Sequence, residues 1–394
     1  MAGAVEGSLI ITLTGWDKGE RGVSICSTRP LHTPKIFVGK GVDELIRTLP
    51  LLYSVCGTAQ ACAAAEACEQ ALGIDADTGR REAREMLVWF ETAREHIWRI
   101  LLDWSAFLTQ PPDSATVADA MGLFSDFRNA LYPDREPFRI GWRAIEPDRY
   151  KLEQVIGRLE QLLERSLYTY SPDEWLGIDS EEALSAWIKR SESIPSQLLR
   201  QLSGRGWSGI GSAASTALPE VSVETLEDLL GGGEVEAFIA TPTHEGHCCE
   251  TTPYTRVRGQ PLVKSLSADY GSGLLPRTVA RLVELAGIPA RLKRGISHLG
   301  GSNTPLFDRA TTDNIGIAQV EAARGRLVHR VELVDQRIAD YRILAPTEWN
   351  FHPQGVVAQG LMSLDGSSHE ELKQQATWLI NAIDPCVGYS LEIV

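Results

Sequence analysis

Hydrophobic and polar positions alternate at the start of the chain. SLIITLT and GVSICST flank the polar, glycine-rich stretch GWDKGERG, and this pattern predicts a β-hairpin over Leu9 to Ser27. The spacing then changes to that of helices. Val42 to Leu49 reads as a short helix, and residues 58 to 72, rich in alanine and free of Gly and Pro, favour a longer one that starts just after Cys56. From Thr78 to about Leu108 apolar residues recur at helical spacing for some eight turns, and 149 to 168 place charge on one face and Leu or Ile on the other. Gly, Ser and Pro cluster between Ser203 and Pro219, which predicts a loop. Beyond it, 273 to 286 and 366 to 382 read as helices, whereas 317 to 334 and 337 to 345 alternate like paired strands.

The 394 residues are 43% hydrophobic and 23% charged, ample for a packed core. Periodicity and composition together predict a helix-rich α+β protein. Acidic residues exceed Lys plus Arg by 14, a balance that repels a polyphosphate backbone, so nucleic acid is not an expected partner. No stretch approaches the roughly 20 apolar residues that cross a bilayer, and no basic segment precedes the first apolar run. Membrane insertion is not expected, and the predicted location is the cytoplasm. Seven cysteines, an odd number at irregular spacing, argue against a secreted disulfide framework, and most are expected as reduced thiols.

Three local signals have bland explanations. Gly204, Gly206 and Gly209 spell G-x-G-x-x-G, but a helix end precedes them where a dinucleotide site needs a strand. His244, His247, Cys248 and Cys249 resemble a metal cluster, yet adjacent side chains on an extended strand point to opposite faces. Tryptophans 89, 98, 104, 142, 175 and 187 read as core fillers or helix contacts, because no basic residues interleave with them.

The chemistry gathers toward the two ends. Val55-Cys56-Gly57 precedes the alanine-rich helix; Glu321-Ala-Ala-Arg324-Gly325 and Pro346-Thr-Glu-Trp-Asn350 follow later; Asp384-Pro-Cys386 comes last. In that order they resemble the large subunit of nickel-iron hydrogenases, with its C-G-x-C, E-A-P-R-G, P-T-x-W-N and D-P-C-x-x-C segments. Glu6-Gly7 and Glu250-Thr-Thr-Pro-Tyr-Thr-Arg256 extend the likeness, which covers roughly 1 to 70 and 236 to 394 (by motif reading).

The departures matter as much. The second cysteine of each family pair is here Ala59 or Tyr389, the closing histidine is Glu392, and a cleavable C-terminal extension is not expected. Two thiols cannot supply a bridged bimetallic centre, so a working enzyme is not expected. This combination of kept and lost residues resembles the hydrogenase expression/formation proteins of the HupK/HoxV type.

The resemblance implies one mainly helical α+β domain spanning 1–394. Within it, 1–75 would hold the hairpin and the Cys56 motif, 76–235 a central helix bundle, and 236–394 the Asp-Pro-Cys region, with small sheets contributed by both terminal regions. It implies a maturation scaffold that carries iron with cyanide and carbon monoxide ligands, transiently and without nickel. Cys56 and Cys386 would be the metal ligands, Arg324, Pro346, Thr347 and Glu6 would line the ligand pocket, and Cys62 is a reserve ligand. The implied partners are hydrogenase maturation factors and the catalytic nickel-iron large subunit. The rival readings are a metal-free structural mimic that binds the same proteins, a hydrogenase subunit with substituted ligands, and a redox disulfide between Cys56 and Cys386. Cys56, ahead of a helix N-terminus, is expected to have a lowered pKa.

Overall fold

Leu9, Ile11 and Leu13 are buried on one face of β1 (Ser8–Thr14), which pairs antiparallel with β2 (Gly22–Ser27) as the alternation predicts. The final strand, β8 (Gly388–Ile393), lies parallel to β1 on its other side, with Tyr389 opposite Leu9, so both chain ends enter one sheet. A computed structural model describes residues 7–16, 19–74, 78–141, 145–299 and 314–394. Glu6 and Trp142 lie outside the described residues.

Helix α1 (Val42–Leu52) leads through a single 3-10 turn, Ser54–Cys56, into the alanine-rich α2 (Gly57–Ala71). The alanines have a packing reason. Helix α2 lies against β5 (Ile315–Ala322) and β6 (Gly325–Val334) so closely that a Cβ on Gly316 would come within 1.8 Å of the Ala67 carbonyl oxygen. Larger side chains on that face would force helix and sheet apart. Glu69 and Arg84 form a fully buried bidentate pair that ties α2 to α3 (Thr78–Trp98).

The predicted eight-turn helix is α3 continued by a π-helical turn, Arg99–Trp104, and a last short turn, Ser105–Phe107. Apolar periodicity does not distinguish the wider turn, which buries Trp104 while Arg99 faces a buried carboxylate, Asp384. Helix α4 (Ser114–Leu131) packs beside α3, and α5 (Arg149–Leu163) packs beside α4. A π-helical turn, Glu164–Tyr168, again ends α5.

At the centre runs α6 (Leu274–His298), eleven residues longer than the 273 to 286 expected and buried over most of its surface. Its Arg277, Arg281 and Glu284 fall at helical spacing on one face, and each meets a counter-charge. Arg277 pairs with the fully buried Glu250 (Nη2 to Oε2, 3.0 Å), and Arg281 approaches Asp384 at 3.4 Å. Glu284 takes Arg256 at 2.6 Å and His96 at 2.8 Å. Buried charge of this kind is tolerable because it is paired, and here the pairs clamp the 250–256 segment against the core.

The 317 to 334 run, expected as a single alternating strand, is the β5/β6 hairpin, turned at Ala323-Arg324; β7 (Arg337–Leu344) completes its sheet. Two-residue strands β3 (Thr216–Ala217) and β4 (Cys249–Glu250) form a small parallel pair. Short α7 (Pro346–Asn350) and then α8 (His369–Ile383) return the chain to β8. The architecture is α+β and mainly helical, with small sheets from both terminal regions. Among the described residues, no helix is long and apolar enough to cross a membrane.

Candidate functional site

Cys56 ends the 3-10 turn before α2, and Cys386 lies between the end of α8 and β8. They are 330 residues apart in sequence, yet the fold brings the two sulfurs together, close enough for each to shift the other's ionisation. Asp384 caps α8 in the left-handed conformation (φ +70°), which turns the chain so that Pro385 and Cys386 run back toward α2. Thr347 fixes Cys386 twice: its oxygen accepts the Cys386 N–H at 3.1 Å, and its hydroxyl donates to the sulfur. Pro346, at the first turn of α7, is buried beside it in sequence.

The two thiols differ in charge. The hydrogen bond from Cys56, with Arg324, Arg29 and Thr347, outweighs burial and brings Cys386 down to about 7. Cys56 shifts the other way, because it gives its proton to that hydrogen bond, is buried, and faces the charge of Cys386. This corrects the expectation that a helix N-terminus makes Cys56 the ready thiolate. The Glu91 carboxylate already accepts the free N–H groups of Thr58 (2.9 Å) and Ala59 (3.0 Å), so its negative charge offsets the positive helix end.

Arg324 occupies the tight β5/β6 turn, where a neighbouring glycine is obligatory. Gly325 has φ +134°, and a Cβ there would lie 2.1 Å from the Thr251 carbonyl oxygen. Asn350 ties the turn down: its Nδ2 donates to the carbonyls of Thr251 (2.7 Å) and Arg324 (3.2 Å), while its Oδ1 accepts the Thr251 N–H (2.8 Å). The guanidinium of Arg324 is buried against Glu95 (3.2 Å) and Asp384 (3.2 Å), and its charge favours thiolate at both cysteines. Arg99 and Arg281 share the Asp384 carboxylate, and the three guanidinia hold it well below the usual carboxylate range against the cost of burial.

A second guanidinium completes the frame. Arg29, just after β2, pairs with Glu348 at 2.5 Å and carries its charge close to both thiols. Sequence reasoning did not find it; the only available pointer was Glu348, inside the Pro346-Thr-Glu-Trp-Asn350 segment.

The reserve ligand does not join the pair. Cys62 donates to Glu66 (3.3 Å) on its own helix, and burial and the Glu66 charge push its thiol well up. Ala59 is fully buried, and Tyr389 is part of β8. Cys248 lies 3.2 Å from His352 Nδ1, whereas Cys249 is buried in a separate apolar cluster with Leu218 and Leu226. Gly204 ends a helix (Ile194–Gly204), with Gly206 in the turn that follows. Of the described tryptophans singled out, Trp89, Trp104, Trp175 and Trp187 are buried; Trp98 is 40% exposed.

The family model for nickel-dependent hydrogenases matches residues 265–390. The hydrogenase expression/formation protein HoxV of Cupriavidus necator is 30% identical, over 93% of this chain and 92% of its own. HupK of Bradyrhizobium diazoefficiens, another hydrogenase expression/formation protein, is 26% identical over 97% and 96%. Among solved structures, the reduced Ni-Fe-Se hydrogenase of Desulfovibrio vulgaris Hildenborough superposes with a TM-score of 0.66 at 16% identity, covering 94% of both chains. An NAD+-reducing [NiFe]-hydrogenase in its H2-reduced state gives 0.63 at 15% identity, over 94% and 93%. The fold is that of the nickel-iron hydrogenase large subunit.

Proposed function

From the premise that this chain belongs to the hydrogenase expression/formation proteins that include HoxV and HupK, we propose that it serves hydrogenase maturation as a scaffold: it holds an iron fragment with cyanide and carbon monoxide ligands between Cys56 and Cys386 and passes it to the catalytic large subunit. The observation that carries this reading is the meeting of the two thiols, 330 residues apart in sequence, beside the buried guanidinium of Arg324 and the largely buried one of Arg29.

The donor set fits such cargo. Iron(II) with two cyanides and one carbon monoxide is formally neutral, and two thiolates make the complex a dianion. Cys386 supplies one thiolate near neutral pH, and Cys56 gives up its proton when the metal arrives. A buried dianion needs positive and hydrogen-bonding neighbours, and Arg324, Arg29 and the Thr347 hydroxyl stand beside the sulfurs. Ala59 and Tyr389 offer no further sulfur, so nickel has no set of soft ligands here. Two sulfurs also suit release, because a site with more of them binds the fragment more tightly.

The test is infrared spectroscopy of anaerobically prepared protein with matched iron and nickel analysis, on wild type and Cys386→Ala. Bands from metal-bound cyanide and carbon monoxide, with iron and without nickel, are expected in wild type only. Their absence from wild type, or tightly bound stoichiometric nickel, overturns the carrier reading. Unchanged hydrogenase maturation in cells carrying Cys56→Ala and Cys386→Ala would instead favour the metal-free mimic.

A further inference from the structure

A cleft of about 770 Å³ opens where α1, the first turn of α2, α4 and the 135–139 loop meet. Its floor includes Gly57, Thr58 and the Glu91 carboxylate, so it begins at the peptide that follows Cys56. The protein carries a net charge of -14, yet five arginines line this one cleft. Two are already engaged. Arg94 pairs with Glu95 at 2.8 Å and lies over the Phe124 ring, and Arg139 pairs with Glu136 at 2.8 Å. Arg47, Arg128 and Arg135 are exposed and make no ion pair among the described residues. Unpaired like charges grouped on an acidic protein repel one another, and an anionic partner relieves that repulsion.

The apolar lining narrows the choice. Leu51 is 79% exposed at the lip of the cleft, Phe124 and Phe138 are half-buried inside it, and Met121, 48% exposed, stands one turn before Phe124 on α4. Exposed apolar side chains between cationic ones suit a ligand that offers both aliphatic groups and carboxylates. The three free guanidinia are all exposed, whereas a small oxyanion is held by donors gathered at a buried point. A nucleic acid backbone would meet the negative field of the whole chain. Two helices that wall a groove accommodate a third helix by its apolar face.

We propose that this cleft docks an acidic, amphipathic helical segment of another protein, with carboxylates on Arg47, Arg128 and Arg135 and aliphatic side chains against Leu51, Phe124 and Phe138. The docked segment would lie against the first turn of α2, next to Cys56, where a protein delivering or receiving cargo at the thiol pair would need to stand. Docking itself requires no metal, so it can fail or succeed independently of the iron carrier.

The probe is a fluorescent peptide of glutamate and leucine, with the leucines at helical spacing, read by anisotropy against the full-length, metal-free protein. Binding to wild type is expected, weakening about tenfold or more in the Arg47→Glu, Arg128→Glu double variant and at raised salt. Arg190→Glu, an exposed change outside the cleft, should bind as wild type. In wild type, hydrogen exchange should slow over 42–52 and 121–139 when the peptide is added, a readout that needs no variant to fold. Absence of binding, equal binding by the double variant, no protection of those segments, or displacement of the peptide by a single-stranded RNA oligonucleotide each overturns the proposal.

Discussion

The Nε of Arg324 lies 3.2 Å from Oδ1 of Asp384, and the same oxygen takes Arg99 Nη2 at 2.8 Å. The guanidinium beside the two sulfurs is therefore held from behind by a carboxylate that is itself fixed by the left-handed cap of α8. One residue sets the backbone path to Cys386 and also the position of its positive neighbour. Preorganisation of this kind lowers the cost of gathering donors around an incoming anion.

Asp384→Asn tests that coupling with almost no change of volume. It leaves Arg99, Arg281 and Arg324 facing an uncharged amide in a buried site, and breaking a buried ion network by removing one partner costs about 3–5 kcal/mol. Urea denaturation should show a loss of that order. A change below about 1 kcal/mol would mean that Glu95 and Asp103 alone balance the arginines.

Alkylation reports the thiol pair directly. Cys386, held at about 7, should react with iodoacetamide with half-maximal rate near pH 7, and Cys56 only at much higher pH. Cys56→Ala removes the donated hydrogen bond that is the largest influence on Cys386, so the midpoint at Cys386 should move upward. Mass spectrometry of the two peptides across a pH series measures both. A midpoint unmoved by Cys56→Ala would contradict the hydrogen bond.

Much of this framework is legible in the chain. The alternation around residues 9–27 becomes β1 and β2, the alanine run becomes α2, and the 149 to 168 pattern becomes α5 with its π-helical turn. The meeting of Cys56 and Cys386 was available only through resemblance, because no periodicity encodes a contact across 330 residues. Glu91 was hidden for another reason. A carboxylate on the mostly apolar, helical 78–108 run reads as a solvated position, whereas here it caps α2 from the neighbouring helix and adds to the upward shift of the Cys56 thiol. Arg29 likewise reads as a surface charge until the fold sets Glu348 beside it.

Gly325→Ala should be the most disruptive single-methyl change near the site. The position has φ +134°, and the added carbon would fall 2.1 Å from the Thr251 carbonyl oxygen, a backbone atom held by Asn350. Neither strand can yield without breaking that bond, so a loss of roughly 3 kcal/mol or more is expected from strain and clash together. Thermal unfolding is the measurement. Gly233→Ala, where an added Cβ meets nothing within 4 Å and φ is not positive, should stay within about 0.5 kcal/mol of wild type.

The α2 to β6 contact carries its own pH dependence. His329 is fully buried, with Nε2 2.9 Å from the Gln60 Oε1 and Nδ1 2.7 Å from the Tyr341 hydroxyl, and burial brings it down to about 3 from its ordinary 6.5. The folded state therefore favours the neutral ring. Above pH 6.5 the ring is neutral in both states and its stabilising contribution is fully present; as pH falls from 6.5 toward 3, only the unfolded chain takes up the proton, and stability declines by up to about 1.4 kcal/mol per pH unit. His329→Gln cannot titrate, so its stability should fall less steeply than that of wild type between pH 6 and about 5, where most carboxylates are still ionised. Urea denaturation at several pH values in that window gives the two slopes. Parallel slopes would show that His329 is already protonated in the folded protein, with both Gln60 Oε1 and the Tyr341 hydroxyl oxygen accepting from a charged ring.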